Sequence, residues 1–110
     1  MDFEETLKKL KQSLFHVLGN EFQEYRKETQ KDIEDFINNS KEKLEKWTKL
    51  LSSRKITLEE YEWLVKNQKD LMALNELEKV GVSKIRLGHF KNKMVKAIVD
   101  IGKAVLLNQK

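Results

Sequence analysis

Apolar side chains recur along the first half of the chain with one spacing that holds across residues 3–52. Phe3, Leu14, Tyr25, Phe36 and Trp47 stand 11 residues apart, and Leu7, Leu18 and Leu51, then Phe22, Ile33 and Leu44, fill the same stripe. Eleven residues make three turns at about 3.67 residues per turn, so a helix with this period keeps its stripe nearly straight. The pattern predicts a single α-helix over residues 3–52. Its polar faces agree, because Glu4 with Lys8, Glu5 with Lys9, Glu42 with Lys46 and Glu45 with Lys49 are i, i+4 pairs in the favoured order. Gly19 and Asn20 form the weak point: Gly19 suits the end of a helix, and Asn20 with Gln23 suits the start of the next. The stripe crosses that point in phase through Leu18 and Phe22, which favours continuity, with a break at Gly19–Asn20 as the alternative.

After Leu51, Thr57 and Glu60 have the spacing of a capping box, and Ile56 and Tyr61 occupy the two staple positions around it, so a second helix begins near Leu58. Gly81 offers a left-handed stop after Val80, and Ser83 can cap the next element. The second helix is therefore expected over 58–80 and the third over 84–107, joined as an antiparallel hairpin. The third helix shows a main seam of Leu87, Phe90, Met94, Ile98, Ile101 and Val105 and, about a third of the circumference away, a second stripe of Gly88, Val95, Val99, Gly102 and Leu106. The second helix is also two-sided: Leu58, Tyr61, Val65 and Met72 lie on one side, Trp63, Leu74 and Leu77 on another.

This arithmetic predicts an all-α protein, a long N-terminal helix with a hairpin against its C-terminal half, elongated and completed by self-association. A first helix of that length would span ~75 Å against ~36 Å for each of the others, leaving half of it uncovered. Contiguous exposed apolar surface marks a partner, and closed two-fold pairing is the commonest solution. The expected self-contact comprises Phe3, Leu7, Leu14, Leu18, Phe22 and Tyr25 on the first helix, Trp63 on the second, and Val95, Val99, Gly102 and Leu106 on the third. The partner is another copy, as a homodimer or higher, with an unidentified protein as a further possibility.

Composition narrows the class without naming a role. The chain has 110 residues, 39% of them hydrophobic and 36% charged, which suits one small domain over residues 1–110. It contains no proline and no cysteine, so long helices are favoured and thiolate metal sites, disulfides and cysteine nucleophiles are excluded. The opening MDFEETLKKL does not resemble a secretory signal, and the most apolar segment, MVKAIVDIGKAVLL, is interrupted by Lys96, Asp100 and Lys103 and falls short of the roughly 20 residues of a membrane span. A cytoplasmic location is expected. Charge is uneven: residues 84–110 carry seven basic side chains and one acidic.

Val80, Gly81, Val82 and Ser83, with Leu87 and Phe90 beyond, resemble the corner of the helix-turn-helix family over residues 74–93. The resemblance implies Ser83, Lys84 and His89 at a DNA groove and Lys91 and Lys93 on phosphates, with affinity that falls steeply with salt. Leu77 and Glu76 depart from that pattern, standing where it has a small and an apolar residue. Read from the residues alone, the segment is a capped hairpin corner with a solvated basic face. DNA binding is thus the alternative function, and peripheral attachment of the basic third helix to an anionic membrane is a third.

No pattern assembles a catalytic or cofactor site. His16 and His89 are solitary, and neither has a Glu three residues earlier, so the Glu-x-x-His pattern of bundle di-metal sites is missing. Glu21, Glu24, Glu28, Asp32 and Asp35 form an acidic stripe, but Arg26, Lys27 and Lys31 beside it read as a solvated, self-compensating face. No glycine-rich phosphate loop, nucleophile elbow or His-Glu-x-x-His occurs. The expected function is non-enzymatic, structural or interaction-mediating, with no cofactor and no metal.

Overall fold

The structure, a computed structural model, describes the backbone of residues 3–19, 22–68 and 73–107 and the side chains of these except 17–19. It is all-α: helices α1 (Phe3–Gly19), α2 (Arg26–Ser52), α3 (Leu58–Gln68), α4 (Asn75–Lys79) and α5 (Lys84–Leu107), with a 3-10 turn over Gln23–Tyr25 before α2. No strand occurs among the described residues.

The single helix expected over 3–52 is two helices. α1 folds back along α2, and Lys41 Nζ meets Glu4 Oε1 at 3.0 Å while Lys11 Nζ lies 3.8 Å from Glu34 Oε1, which fixes the pair as antiparallel. The reason is coverage. The longest dimension of the molecule is 45 Å, against the ~75 Å of an unbroken helix, and folding back buries Phe3, Leu10 and Leu14 inside the one chain. The argument for self-association from an uncovered half-helix therefore falls away.

The second helix, expected over 58–80, is also divided. Leu74 has a non-helical backbone and α4 starts only at Asn75. Its two apolar sides explain the division, since a straight helix can turn only one of them to the core. With α4 set apart, Leu74 and Leu77 enter the core beside Tyr61 and Val65, which α3 supplies. Met72 lies outside the described residues.

The local signals at helix ends hold. Thr57 and Glu60 reciprocate, the Glu60 amide donating to Thr57 Oγ1 at 3.1 Å and the Thr57 amide to Glu60 Oε1 at 3.0 Å. α4 ends in a Schellman motif: the Val82 amide donates to the Leu77 carbonyl at 3.1 Å, the Gly81 amide to Glu78 at 3.0 Å, and Gly81 takes φ +90°. The Arg86 amide donates to Ser83 Oγ at 3.2 Å, capping α5. α2 ends the same way as α4, with Arg54 at φ +61° in the left-handed position.

α5 is the central element, packed against α1, α2, α3 and α4. Its seam of Leu87, Phe90, Met94 and Ile98 is buried, and Phe90 meets Phe22 with ring centroids 4.9 Å apart, joining α5 to the connection between α1 and α2.

Candidate interaction surface

The second stripe of α5, expected to meet another chain, is used inside this one. α3 lies over it. Tyr61 is buried against Gly102, where an added Cβ would come within 2.5 Å of Tyr61 Cε1, so the glycine admits the ring. The Tyr61 hydroxyl is hydrogen-bonded to the Thr48 side chain of α2, and burial raises its pKa above the ordinary tyrosine value despite that bond. Val95 and Val99 are buried at the floor of a groove of about 410 Å³ between the two helices, whose walls include Glu62 and Lys66 of α3 and Lys96, Asp100 and Lys103 of α5.

The remaining expected contact residues divide cleanly. Phe3, Leu14 and Phe22 are buried in the core of their own chain, and Leu7, Tyr25 and Leu106 are partly buried against it. The side chain of Leu18 lies outside the described residues. Only Trp63 stands fully at the surface, 64% exposed.

Trp63 occupies the crest of α3, opposite Tyr61 and Val65, which face the core. Beside it is a shallow depression of about 300 Å³ lined by Ile56, Thr57, Glu59, Glu60 and Leu64. Glu59 and Glu60 on α3 are exposed with Glu62 half-buried, and on neighbouring α5 Lys93, Lys96 and Lys103 are exposed. Lys66 pairs with Glu62 at 3.0 Å and Asp100 is exposed between Lys96 and Lys103, so both helices carry both signs, α3 acidic in its first turn beside the tryptophan and α5 mainly basic.

The corner between α4 and α5 places the residues named for DNA contact as follows. Lys84, His89 and Lys93 are exposed on α5 and Lys91 is half-buried. Ser83 is committed to its cap, and Arg86 lies over the Phe22 ring at 4.7 Å with its guanidinium 3.7 Å from Glu24. Ile85, 75% exposed, projects from the first turn.

One residue central to this corner was misread in the sequence. Asp32, placed there on a solvated acidic face, is 1% exposed, and its two carboxylate oxygens accept the amides of Glu76 at 3.0 Å and Leu77 at 2.9 Å. It is the N-terminal cap of α4, supplied from α2, because Leu74 in the capping position makes no side-chain hydrogen bond. Burial pushes its carboxyl above the usual aspartate value, the Leu77 and Glu76 amides pull it down, and nearby Glu76 and Asp35 add to the upward direction. One signal in the sequence pointed to it: Asp32 falls between Thr29 and Phe36 at helical spacing on the apolar stripe.

Among the described residues no group of three or more His, Asp or Glu side chains is placed to hold a metal, and no helix is long and apolar enough to cross a membrane. Comparison with known proteins finds no matching family, no matching curated protein and no matching solved structure.

Proposed function

We propose that this chain is a non-enzymatic helical interaction module of the cytoplasm that self-associates through the α3–α5 face. The observation that carries the reading is Trp63, a large aromatic side chain 64% exposed on a helix crest. Tryptophan is enriched among residues that dominate binding energy, because it buries much area at little entropic cost. The flanking charges say what covers it. A second copy turned by a two-fold axis lays the acidic first turn of α3, Glu59 and Glu60, on the lysines of α5 and the reverse.

Sedimentation equilibrium tests this. The expected result is a dimer at ~50 μM that Trp63→Ala weakens by at least about tenfold, a loss on the scale of a hot-spot truncation, and that weakens further in ~0.5 M salt. A monomeric wild-type chain, or a dimer indifferent to Trp63→Ala, overturns the reading.

DNA binding stands as the second reading, favoured by the left-handed Gly81 between α4 and α5 and by the inward Leu77, Val82, Leu87 and Phe90. Its test is a random-site selection at ~0.15 M salt. Enrichment of a sequence that is lost when Lys84, His89, Lys91 and Lys93 are replaced by Ala would establish it over self-association.

A further inference from the structure

We infer that two copies of this chain interlock, the Trp63 indole of each seated over Val99 in the groove between α3 and α5 of the other. The seating presupposes the self-association proposed above and gives the tryptophan its receptor.

The groove has the layout of a pocket for an aromatic anchor. Val95 and Val99 make a buried apolar floor, and the walls carry charged side chains, among them Glu62 and Lys66 of α3. Hot-spot aromatics are seated in such pockets, desolvated at the centre and ringed by polar contacts. On α3, Trp63 stands about 100° round the helix from Glu62 and about 60° from Lys66. The projecting side chain and the hollow therefore lie side by side on one face. A closed two-fold contact demands that arrangement, because each copy must both give and receive.

The direction of the helices selects the axis. Tyr61 lies against Gly102, and from there the groove follows Glu62 and Lys66 along α5 back to Asn92, so α3 and α5 are antiparallel. A two-fold axis parallel to α3 lays the α3 of one copy in the groove of the other, the two α3 helices running side by side in the same direction. Trp63, just beyond Tyr61, then comes level with the turn of α5 before Gly102, where Val99 forms the floor. An axis crossing the helices lays α3 upon α3 and leaves both grooves empty.

The charges fit the same placement. Glu59 and Glu60, exposed in the first turn of α3, come level with exposed Lys103 of the other copy. Glu62 and Lys66, which flank the axis, already pair at 3.0 Å within their own chain and bring no net charge to it.

The full chain lacks cysteine, so a single introduced one can be joined only to another chain. Lys66→Cys, beside the axis, is expected to give a disulfide-linked dimer on mild oxidation, whereas Glu78→Cys on α4 is not. Trp47→Phe leaves Trp63 as the sole tryptophan, and its emission should move to the blue as the chains associate, because the indole leaves water for an apolar floor. Lys103→Glu should weaken the dimer about threefold or more, and Glu59→Lys in the same chain should restore it. Lys84→Glu, the same change of charge at the other end of α5, should have no effect. A dimer that depends on Trp63 yet shows no Lys66→Cys cross-link, no blue shift, or equal sensitivity to Lys84→Glu and Lys103→Glu overturns this seating and leaves self-association standing. A monomeric wild-type chain overturns both.

Discussion

Asp32 joins stretches of chain 44 residues apart through bonds to two amides that would otherwise be buried or half-buried without a partner. Asp32→Ala is expected to lower stability by about 2 kcal/mol, the scale for orphaned helix N-terminal donors. Asp32→Asn should cost less than Asp32→Ala, since one carbonyl acceptor remains while its NH₂ is turned against an amide. Urea unfolding midpoints rank the three proteins, and an Asp32→Ala variant as stable as wild type would show that solvent replaces the carboxylate. A second residue invites a gain. Arg54 holds a left-handed position, φ +61°, equivalent to that of Gly81, and Arg54→Gly should stabilise by about 1 kcal/mol by removing the Cβ penalty, read as a higher Tm.

Among elements, the start of α5 and the C-terminus of α2 were legible, the division after Gly19 was legible only as the alternative to a continuous helix, and the one before Asn75 was not. The difference is physical. Caps such as Thr57 with Glu60 and Ser83 with Arg86 act over three residues, so residue type and spacing reveal them. The two breaks are set by what each helix must cover, and coverage depends on neighbours that sequence periodicity does not contain. The same limit applied to the second stripe of α5, whose small residues marked a close approach correctly but left open whether the visitor was α3 or another chain. Gly102→Ala should destabilise by about 1–3 kcal/mol, because the added Cβ would meet the buried Tyr61 ring and force it to shift. Tyr61 also gives a pH dependence. With its folded pKa raised above the ordinary 10.0, the native chain keeps a proton that the unfolded chain releases, so stability falls as pH rises above that value. Tyr61→Phe should remove this contribution, visible as a flatter dependence of Tm on alkaline pH.

For the molecule as a whole, the first half of the stripe, Phe3 to Tyr25, was expected to await a partner, and Phe3, Leu14 and Phe22 are buried within the chain itself while Leu7, Tyr25 and Trp47 are half-buried against its core. Leu14→Ala should therefore destabilise the isolated monomer by about 2–5 kcal/mol, as truncation of a fully buried leucine does, and not merely weaken association. Chemical unfolding at low micromolar concentration measures this, and an unaltered midpoint would mean that α1 is held only in an assembly. The candidate surface was legible in one residue, Trp63, because an aromatic out of phase with Tyr61 and Val65 cannot share their core.

The capping of α4 by a residue of α2 also bears on the order in which structure forms. A five-residue helix has almost no stability of its own, and its first two hydrogen-bonded amides find their acceptor only after the chain has closed a loop from residue 32 to residue 76. A peptide covering 73–107 is expected to lose α4 and to keep the Ser83 cap at the start of α5, read by amide exchange. In the intact protein, the exchange of the Glu76 and Leu77 amides with solvent deuterium counts the occasions on which α2 and α4 part company, and so clocks the opening of the bundle from within its shortest helix.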